Sequence, residues 1–315
     1  MRVMITGASG FIGAYVVREA VARGHAVLAL TRSGRAGTTA GQGRVEWQQC
    51  DLGTPGALDL RGRGIDAVIH LAAEMGGDAA AQQSTLTATR NLLAAMRAAG
   101  VCRLVGISSI SVLDYLRIPP MAIIDEDLSA PPDGMPIGRY AAMKLAQERL
   151  LLAFAEEPGV HCVILRPGLV YDNERLIAAH AGILRGAWRL LVTHRGEVPT
   201  IEVTGLAKAI LNAAELSTTG NGVIHLVDDN LPKQHEYLAG LRRRNLLPSG
   251  GIRVPWQLLA WFALLVKWPL RCVGRFVSVP DTLLPHSIAA RMKPFRYSND
   301  KAKRLLEWVP ANQFH

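Results

Sequence analysis

A short apolar run, Arg2-Val-Met-Ile-Thr6, leads directly into Gly7-Ala-Ser-Gly10-Phe-Ile-Gly13, and a helical pattern through Tyr15, Val16, Val17, Ala20 and Val21 follows. The run suits a buried strand. Strand, glycine turn and helix in that order leave few folds open, because backbone N–H groups and a helix N-terminus then converge on one point that suits a pyrophosphate. Gly7 permits the tight turn, Gly10 lets a diphosphate approach the backbone, and Gly13 lets the helix lie close to the strand. The glycines are spaced G-x-x-G-x-x-G, and no Gly-Lys-Ser/Thr follows. An ATP-type phosphate loop is therefore disfavoured.

The same alternation continues through the first half of the chain. Ala26–Thr31, Val45–Cys50, Ala67–Ala72, Arg103–Ile107 and His161–Leu165 read as strands, with helices near Phe11–Ala22, Gln82–Ala99 and Ile137–Glu156. This rhythm predicts an α/β fold, a Rossmann-type doubly wound parallel sheet covered by helices on both faces. Residues 1–170 are expected to form the dinucleotide-binding domain, rejoined by about 200–228 through a strand at Gly222–Val227. Residues 171–199 and 229–315 would form a smaller C-terminal substrate-binding lobe over the carboxyl ends of the strands, where ligands bind in such sheets. Thr31–Gly43, rich in Gly, Thr and Ser, is the expected mobile loop.

Composition narrows the class. The 315 residues suffice for a large core, and 49% hydrophobic residues exclude global disorder. A formal charge of +9 fits anionic partners such as phosphate-bearing cofactors. No nucleic-acid-binding module accompanies it, and Arg242-Arg-Arg244 reads as a solvated helix face. Cys50, Cys102, Cys162 and Cys272 are far apart and form no metal pattern, as expected of reduced thiols. Met1 enters a strand without a basic-then-apolar leader, so a cytoplasmic location is expected.

Tyr140 and Lys144 lie four apart in a helical stretch and so leave the same face one turn apart. A phenol beside a fixed ammonium is a usable proton donor, because the positive charge favours the ionised form. His70, in an apolar strand with no second ligand at useful spacing, reads as a satisfied core histidine rather than a metal ligand.

Taken together the motifs resemble the extended short-chain dehydrogenase/reductase family, also called the NAD-dependent epimerase/dehydratase family. Beyond Thr6–Gly13 and the Tyr140/Lys144 pair, they include Cys50-Asp51-Leu52, Asp66-Ala-Val-Ile-His-Leu-Ala-Ala73, Ile107-Ser-Ser109, Leu165-Arg-Pro-Gly-Leu-Val-Tyr171 and Asn299-Asp-Lys-Ala-Lys303 with Trp308-Val-Pro310. The resemblance implies an NAD(P)-dependent enzyme with Ser109, Tyr140 and Lys144 in the catalytic positions. Tyr140 would be the acid/base at the reacting oxygen, Ser109 would orient that oxygen, and Lys144 would hold the nicotinamide ribose and lower the Tyr140 pKa. Ser108 is the alternative serine. The implied cofactor contacts are Gly7, Ser9, Gly10, Phe11, Ile12, Gly13, Asp51, Leu52, Leu71, Ala72, Ala73, Ser108, Tyr140, Lys144, Pro167 and Gly168, with Asp51 and Leu52 at the adenine and Ala72 and Ala73 leaving room for the cofactor backbone.

Cofactor choice is read at the end of the second strand. An NAD enzyme usually offers a carboxylate there to the ribose 2′-hydroxyl, whereas this chain has Ala29-Leu-Thr-Arg32-Ser-Gly-Arg35. Arg32, helped by Ser33 or Arg35, suits a 2′-phosphate, so NADP is preferred over NAD. Ile110 and Ser111 stand where the family's sugar dehydratases carry an acidic pair, which argues against water elimination. Leu113-Asp114 replaces the usual tyrosine-glycine, and Thr200-Ile-Glu202 precedes Val203-Thr-Gly-Leu-Ala207 where sugar-nucleotide enzymes often carry an arginine. The expected activity is hydride transfer to or from a secondary alcohol or ketone carbon of a small molecule. A nucleotide-sugar epimerase with tightly bound NAD stays open, as does a catalytically silent nucleotide-binding scaffold.

Trp256–Leu270 is dense in apolar and aromatic residues, but Lys267 and Pro269 interrupt it, and it is shorter than the roughly 20 residues a spanning helix needs. Packing in the small lobe, against an apolar substrate or a second subunit of a homodimer, is expected ahead of peripheral membrane contact.

Overall fold

The computed structural model describes residues 1–32, 43–74, 79–185, 188–216, 220–247, 250–259, 261, 281–310 and 314. Seven strands, Arg2–Thr6 (β1), Ala26–Thr31 (β2), Val45–Gln49 (β3), Ala67–His70 (β4), Arg103–Ile107 (β5), His161–Pro167 (β6) and Gly222–Leu226 (β7), form one sheet in the order β7-β6-β5-β4-β1-β2-β3. Every pairing in it is parallel. Apolar runs without polar alternation must be covered on both faces, and β1 and β4 are buried along almost their whole length. Edge strand β3 carries Glu46, which pairs with Arg2 and Arg63. Strand order reverses between β1 and β4, so their connections leave in opposite directions and open a crevice at their carboxyl ends.

Helices Phe11–Ala22 (α1) and Val203–Glu215 (α4) close one core with Ile5, Ile69 and Leu165, joined by Ala302 and Leu306 of Asp300–Leu306 (α7). Ala79–Ala99 (α2) and Arg139–Ala155 (α3) close the other through Leu92, Met96, Leu151 and Phe154. Gln234–Arg243 (α5) and Pro285–Met292 (α6) pack, in two separate apolar clusters, on residues 171–192. Gly182–Arg185, Trp188–Thr193 and Ile252–Pro255 form a three-stranded sheet, and Thr200–Glu202 pairs with Leu169–Tyr171.

Element boundaries differ from expectation where side chains intervene. α3 starts at Arg139 rather than Ile137, because Gly138 has φ +85° and cannot be helical. β4 stops at His70 rather than Ala72, since the Leu71 and Ala72 N–H groups turn to the Thr6 hydroxyl. α4 begins at Val203 itself, with the Glu202 carboxylate accepting from the Gly205 N–H at 2.9 Å. The Thr200-Ile-Glu202 oddity thus serves as a strand followed by a helix cap. Of Arg242–Arg244, the first two are exposed, while Arg244 donates to the Asp172 carbonyl.

Cys50, Cys102 and Cys162 are free thiols; Cys272 lies outside the described residues. Residues 256–259 and 261 are helical, with Leu259 buried and Leu258 and Trp261 exposed. The rest of Trp256–Leu270, and most of the Thr31–Gly43 loop, lie outside the described residues. Among the described residues no helix is long and apolar enough to cross a membrane.

Burial keeps two core histidines neutral. His70 and His225 are each 1% exposed and pushed down to about 3, chiefly by burial. An unfolded imidazole titrates near ~6.5, so between these values the unfolded chain binds more protons. Their contribution to stability is intact above pH ~6.5 and lost as pH falls toward ~3. The melting temperature is expected to drop progressively below pH ~6.5, and His225→Gln should flatten that dependence; a variant with an unchanged slope would contradict it.

Candidate active site

The carboxyl ends of β1 to β4 enclose a cleft of about 490 Å³. Of the residues expected at a dinucleotide, Gly7, Ser9, Gly10, Arg32, Asp51, Leu52, Leu71, Ala72 and Ala73 line it. Gly7 has φ +65°, and a Cβ there would sit 3.0 Å from the Ala72 nitrogen, so it serves both the turn and the close approach of β4. A Cβ on Gly13 would lie 2.2 Å from the Gly7 carbonyl oxygen, which is what seats α1 against the turn. Among the described residues beyond its chain neighbours, a Cβ on Gly10 would meet only the Gly7 carbonyl, at 3.1 Å. The first turn of α1 carries no acid to oppose an incoming anion. Phe11, Ile12 and Gly13 stand outside the cleft lining, and the Phe11 ring meets Tyr15 edge-on and lies under the Arg175 guanidinium. Asp51 accepts from the Gly53 N–H at 2.9 Å, so it shapes its turn while facing the cleft.

At the far end of the cleft Arg32 pairs with Glu74. Glu74 also accepts from the Ser84 hydroxyl at 3.2 Å and donates its backbone N–H to Thr85 at 3.0 Å. The cation expected to meet a 2′-phosphate therefore brings its own counter-ion, which the sequence reading did not anticipate although Glu74 directly follows Ala72-Ala73. Ser33 and Arg35 lie outside the described residues.

α3 carries Tyr140 and Lys144. Gly106 of β5 lets this helix lie close to the sheet, since a Cβ there would be 2.3 Å from Leu151. Lys144 is buried, and its ammonium donates to the Ile107 carbonyl at 2.9 Å and the Gln147 side-chain oxygen at 3.1 Å. Burial lowers it to about 8. Tyr140 is 36% exposed; partial desolvation raises it above the usual phenol range, against Ser109, which lowers it. The Lys144 ammonium makes its hydrogen bonds to the Ile107 and Gln147 carbonyls, so toward Tyr140 it acts through its charge alone. Ser109 accepts from the Ser111 N–H at 3.2 Å and hydroxyl at 3.0 Å, capping the turn Ile110–Val112. Its own proton remains available to the oxygen it faces. Ser108 is buried with its hydroxyl unpartnered, so Ser109 is the serine beside Tyr140.

Pro167 and Gly168 end β6 away from the described cleft lining, and a Cβ on Gly168 would strike the Pro199 carbonyl at 2.1 Å, which makes it a close-packing glycine. Groups distant in sequence steady the site. Asp281 accepts from the Arg139 N–H at 2.8 Å and side chain at 3.0 Å, capping the first turn of α3 beside Tyr140. His286 donates to the Leu113 carbonyl at 2.7 Å, and the Lys293 ammonium binds the Tyr115 and Ile118 carbonyls, so α6 and its C-cap hold the loop carrying Leu113-Asp114. No sequence signal marks Asp281, His286 or Lys293.

Residues 3–216 match the model of the NAD dependent epimerase/dehydratase family. The chain is 32% identical to a 2-alkyl-3-oxoalkanoate reductase of Stenotrophomonas maltophilia, over 70% of this chain and 67% of the relative. It is 30% identical to a 4-hydroxy-2-methyl-3-oxo-4-farnesyl-3,4-dihydroquinoline-1-oxide ketoreductase of Stigmatella aurantiaca, over 98% of this chain and 92% of the relative. Among solved structures, the Thermus thermophilus UDP-glucose 4-epimerase in complex with NAD superposes with a TM-score of 0.68 at 21% identity, over 100% of this chain and 95% of the other, a likeness of fold.

Proposed function

We propose that this chain, which belongs to the NAD dependent epimerase/dehydratase family of NAD(P)-dependent reductases and epimerases, is a reductase of ketones that carry an apolar alkyl or prenyl chain. The observation that carries the reading is Tyr140, protonated at neutral pH as a phenol is, beside Ser109 and one helical turn from the buried Lys144. A protonated phenol is the form that donates to a ketone oxygen as it becomes an alcohol, so the site favours reduction near neutral pH. The names of the two relatives support the substrate class, since both reduce a 3-oxo group beside apolar substituents.

The residues of the cleft suit a dinucleotide: Gly10 and the N-terminus of α1 for the pyrophosphate, Asp51 and Leu52 for the adenine, and Arg32 for a 2′-phosphate; Lys144, outside that lining, would hold the nicotinamide ribose. When bound, NAD(P)H supplies the hydride. Ser109 orients the substrate oxygen with its hydroxyl, and Tyr140 delivers the proton to that atom. Lys144 keeps a positive charge behind the phenol as it gives up its proton.

The test pairs NADPH oxidation with ethyl 2-methylacetoacetate and longer 2-alkyl-3-oxo esters with mass spectrometry of cofactor released from the purified protein. Ketone-dependent oxidation with an exchangeable cofactor is the expected result. Tightly held NAD with UDP-glucose epimerisation and no ketone turnover would overturn it.

Cofactor preference has its own check. Arg32→Ala is expected to weaken NADPH about tenfold, the lower range for hydrogen bonds to a charge, because the site is exposed. NADH should change little, and Glu74→Gln should tighten NADPH by freeing Arg32. Fluorescence titration of both cofactors measures this, and equal losses for the two would sink the 2′-phosphate role.

A further inference from the structure

We propose that Gln147 is the positioning residue of Lys144: its carboxamide holds the ammonium charged and aimed, and fastens it to the rim of the dinucleotide cleft. The inference deepens the reading above and rests on its placement of Lys144. Tyr140, Lys144 and Gln147 follow one another along one face of α3. An ammonium has three donors and no acceptor, so the amide must turn its oxygen to Lys144 and its nitrogen away. That nitrogen reaches the Ala72 carbonyl at 3.3 Å, the Thr89 hydroxyl at 3.1 Å and His70 Nε2 at 3.1 Å. These partners are fixed in turn.

A shared polar cluster surrounds them. Thr89 donates to the Thr85 carbonyl at 2.9 Å, leaving its oxygen to accept. Thr6 accepts from the Leu71 and Ala72 N–H groups, each at 3.2 Å, and its hydroxyl meets His70 Nδ1 at 2.8 Å. His70 Nε2 lies 3.1 Å from both the Thr89 hydroxyl and the Gln147 nitrogen, so both ring nitrogens are engaged. Gln147 thus sits between the catalytic helix and the end of β4, where Ala72 packs on Gly7.

The chain of bonds matters because Lys144 is buried. Two neutral carbonyls, those of Ile107 and Gln147, stabilise its charge, and among the described residues nothing else accepts its third N–H, which a ligand would take. The titratable groups around it are few. His70 on β4 stays neutral, Tyr140 lies one turn back, and Glu148, one residue past Gln147, is closed on Arg166 of β6. Removing the Gln147 carbonyl therefore lowers the pH at which Lys144 loses its proton, and a carboxylate in its place raises it.

Gln147→Leu and the near-isosteric Gln147→Glu test this against wild type, with circular dichroism melts to check folding. The readouts are the pH profile of kcat/KM for NADPH oxidation with ethyl 2-methylacetoacetate, and the pH dependence of NADPH affinity measured by fluorescence without substrate. Gln147→Leu is expected to move the alkaline limb of both profiles down by about one unit, the scale of a lost hydrogen bond to a charge, and Gln147→Glu to move it up. If Gln147→Leu does not fold, the upward shift in Gln147→Glu carries the test alone. Folded variants whose limbs stay at the wild-type pH, whatever their amplitude, would make Gln147 a packing residue and overturn the proposal. Failure of wild type to turn over the ketone would strike the reading of the function instead, and the substrate-free binding profile would still decide the role of Gln147.

Discussion

Tyr140→Phe is expected to lower ketone turnover by ~10²–10⁴-fold, the range a positioned general acid contributes, with little change in NADPH affinity. The substitution removes one oxygen and keeps the ring. Partial desolvation raises the phenol, which lies beside Ser109, so its proton is present at neutral pH next to the serine that would orient the ketone oxygen. Lys144 contributes charge from behind, and its own bonds to the Ile107 and Gln147 carbonyls do not involve the Tyr140 oxygen. Steady-state kinetics and a fluorescence titration separate the outcomes. A variant within a factor of ~10 of wild-type turnover would fall short of general-acid catalysis and remove Tyr140 from the chemistry.

The largest expected effect on stability comes from the middle of the same helix. Glu148 and Arg166 form a two-pronged pair with side chains 2% and 7% exposed, and Arg166 also faces His225 at 3.4 Å. Glu148→Ala would strand a guanidinium in the core, and breaking such a pair from one side costs about 3–5 kcal/mol. Urea unfolding should show a lower midpoint at unchanged slope. The double replacement Glu148→Leu with Arg166→Leu is expected to recover most of the loss, because apolar groups of similar size often replace a buried pair at little cost. A loss below about 1 kcal/mol for Glu148→Ala would place the pair among weak surface bridges.

Much of the architecture is legible along the chain because its causes are local. Apolar runs of strand length alternating with helical patterns call for a parallel sheet covered on both sides, and the observed order β7-β6-β5-β4-β1-β2-β3 is that sheet. The glycine turn was legible for the same reason, although the contact of Gly7 with Ala72 joins two strands and appears only in the fold. Gln147 could have been noticed from its place one turn beyond Lys144, yet reading its role needed His70, Thr89 and Ala72 around it. His70 read as a satisfied core histidine, and it is satisfied; its link toward Lys144 was not readable, because β4 and α3 meet only in the packed core.

The chain's own order of residues determined the strand-turn-helix that shapes the cleft and the one-turn spacing of Tyr140 and Lys144, since helical period, strand period and glycine's backbone freedom act over a few residues. Tertiary structure alone decided the surroundings. It set Glu74 against Arg32 across 42 residues and Asp281 on the first turn of α3 across 142, and it turned the Lys144 ammonium toward carbonyls rather than toward Tyr140. Charges and hydrogen bonds act through space over a few ångströms, so which groups share a site, and whether a proton stays on Tyr140 at neutral pH, follows from how distant segments pack.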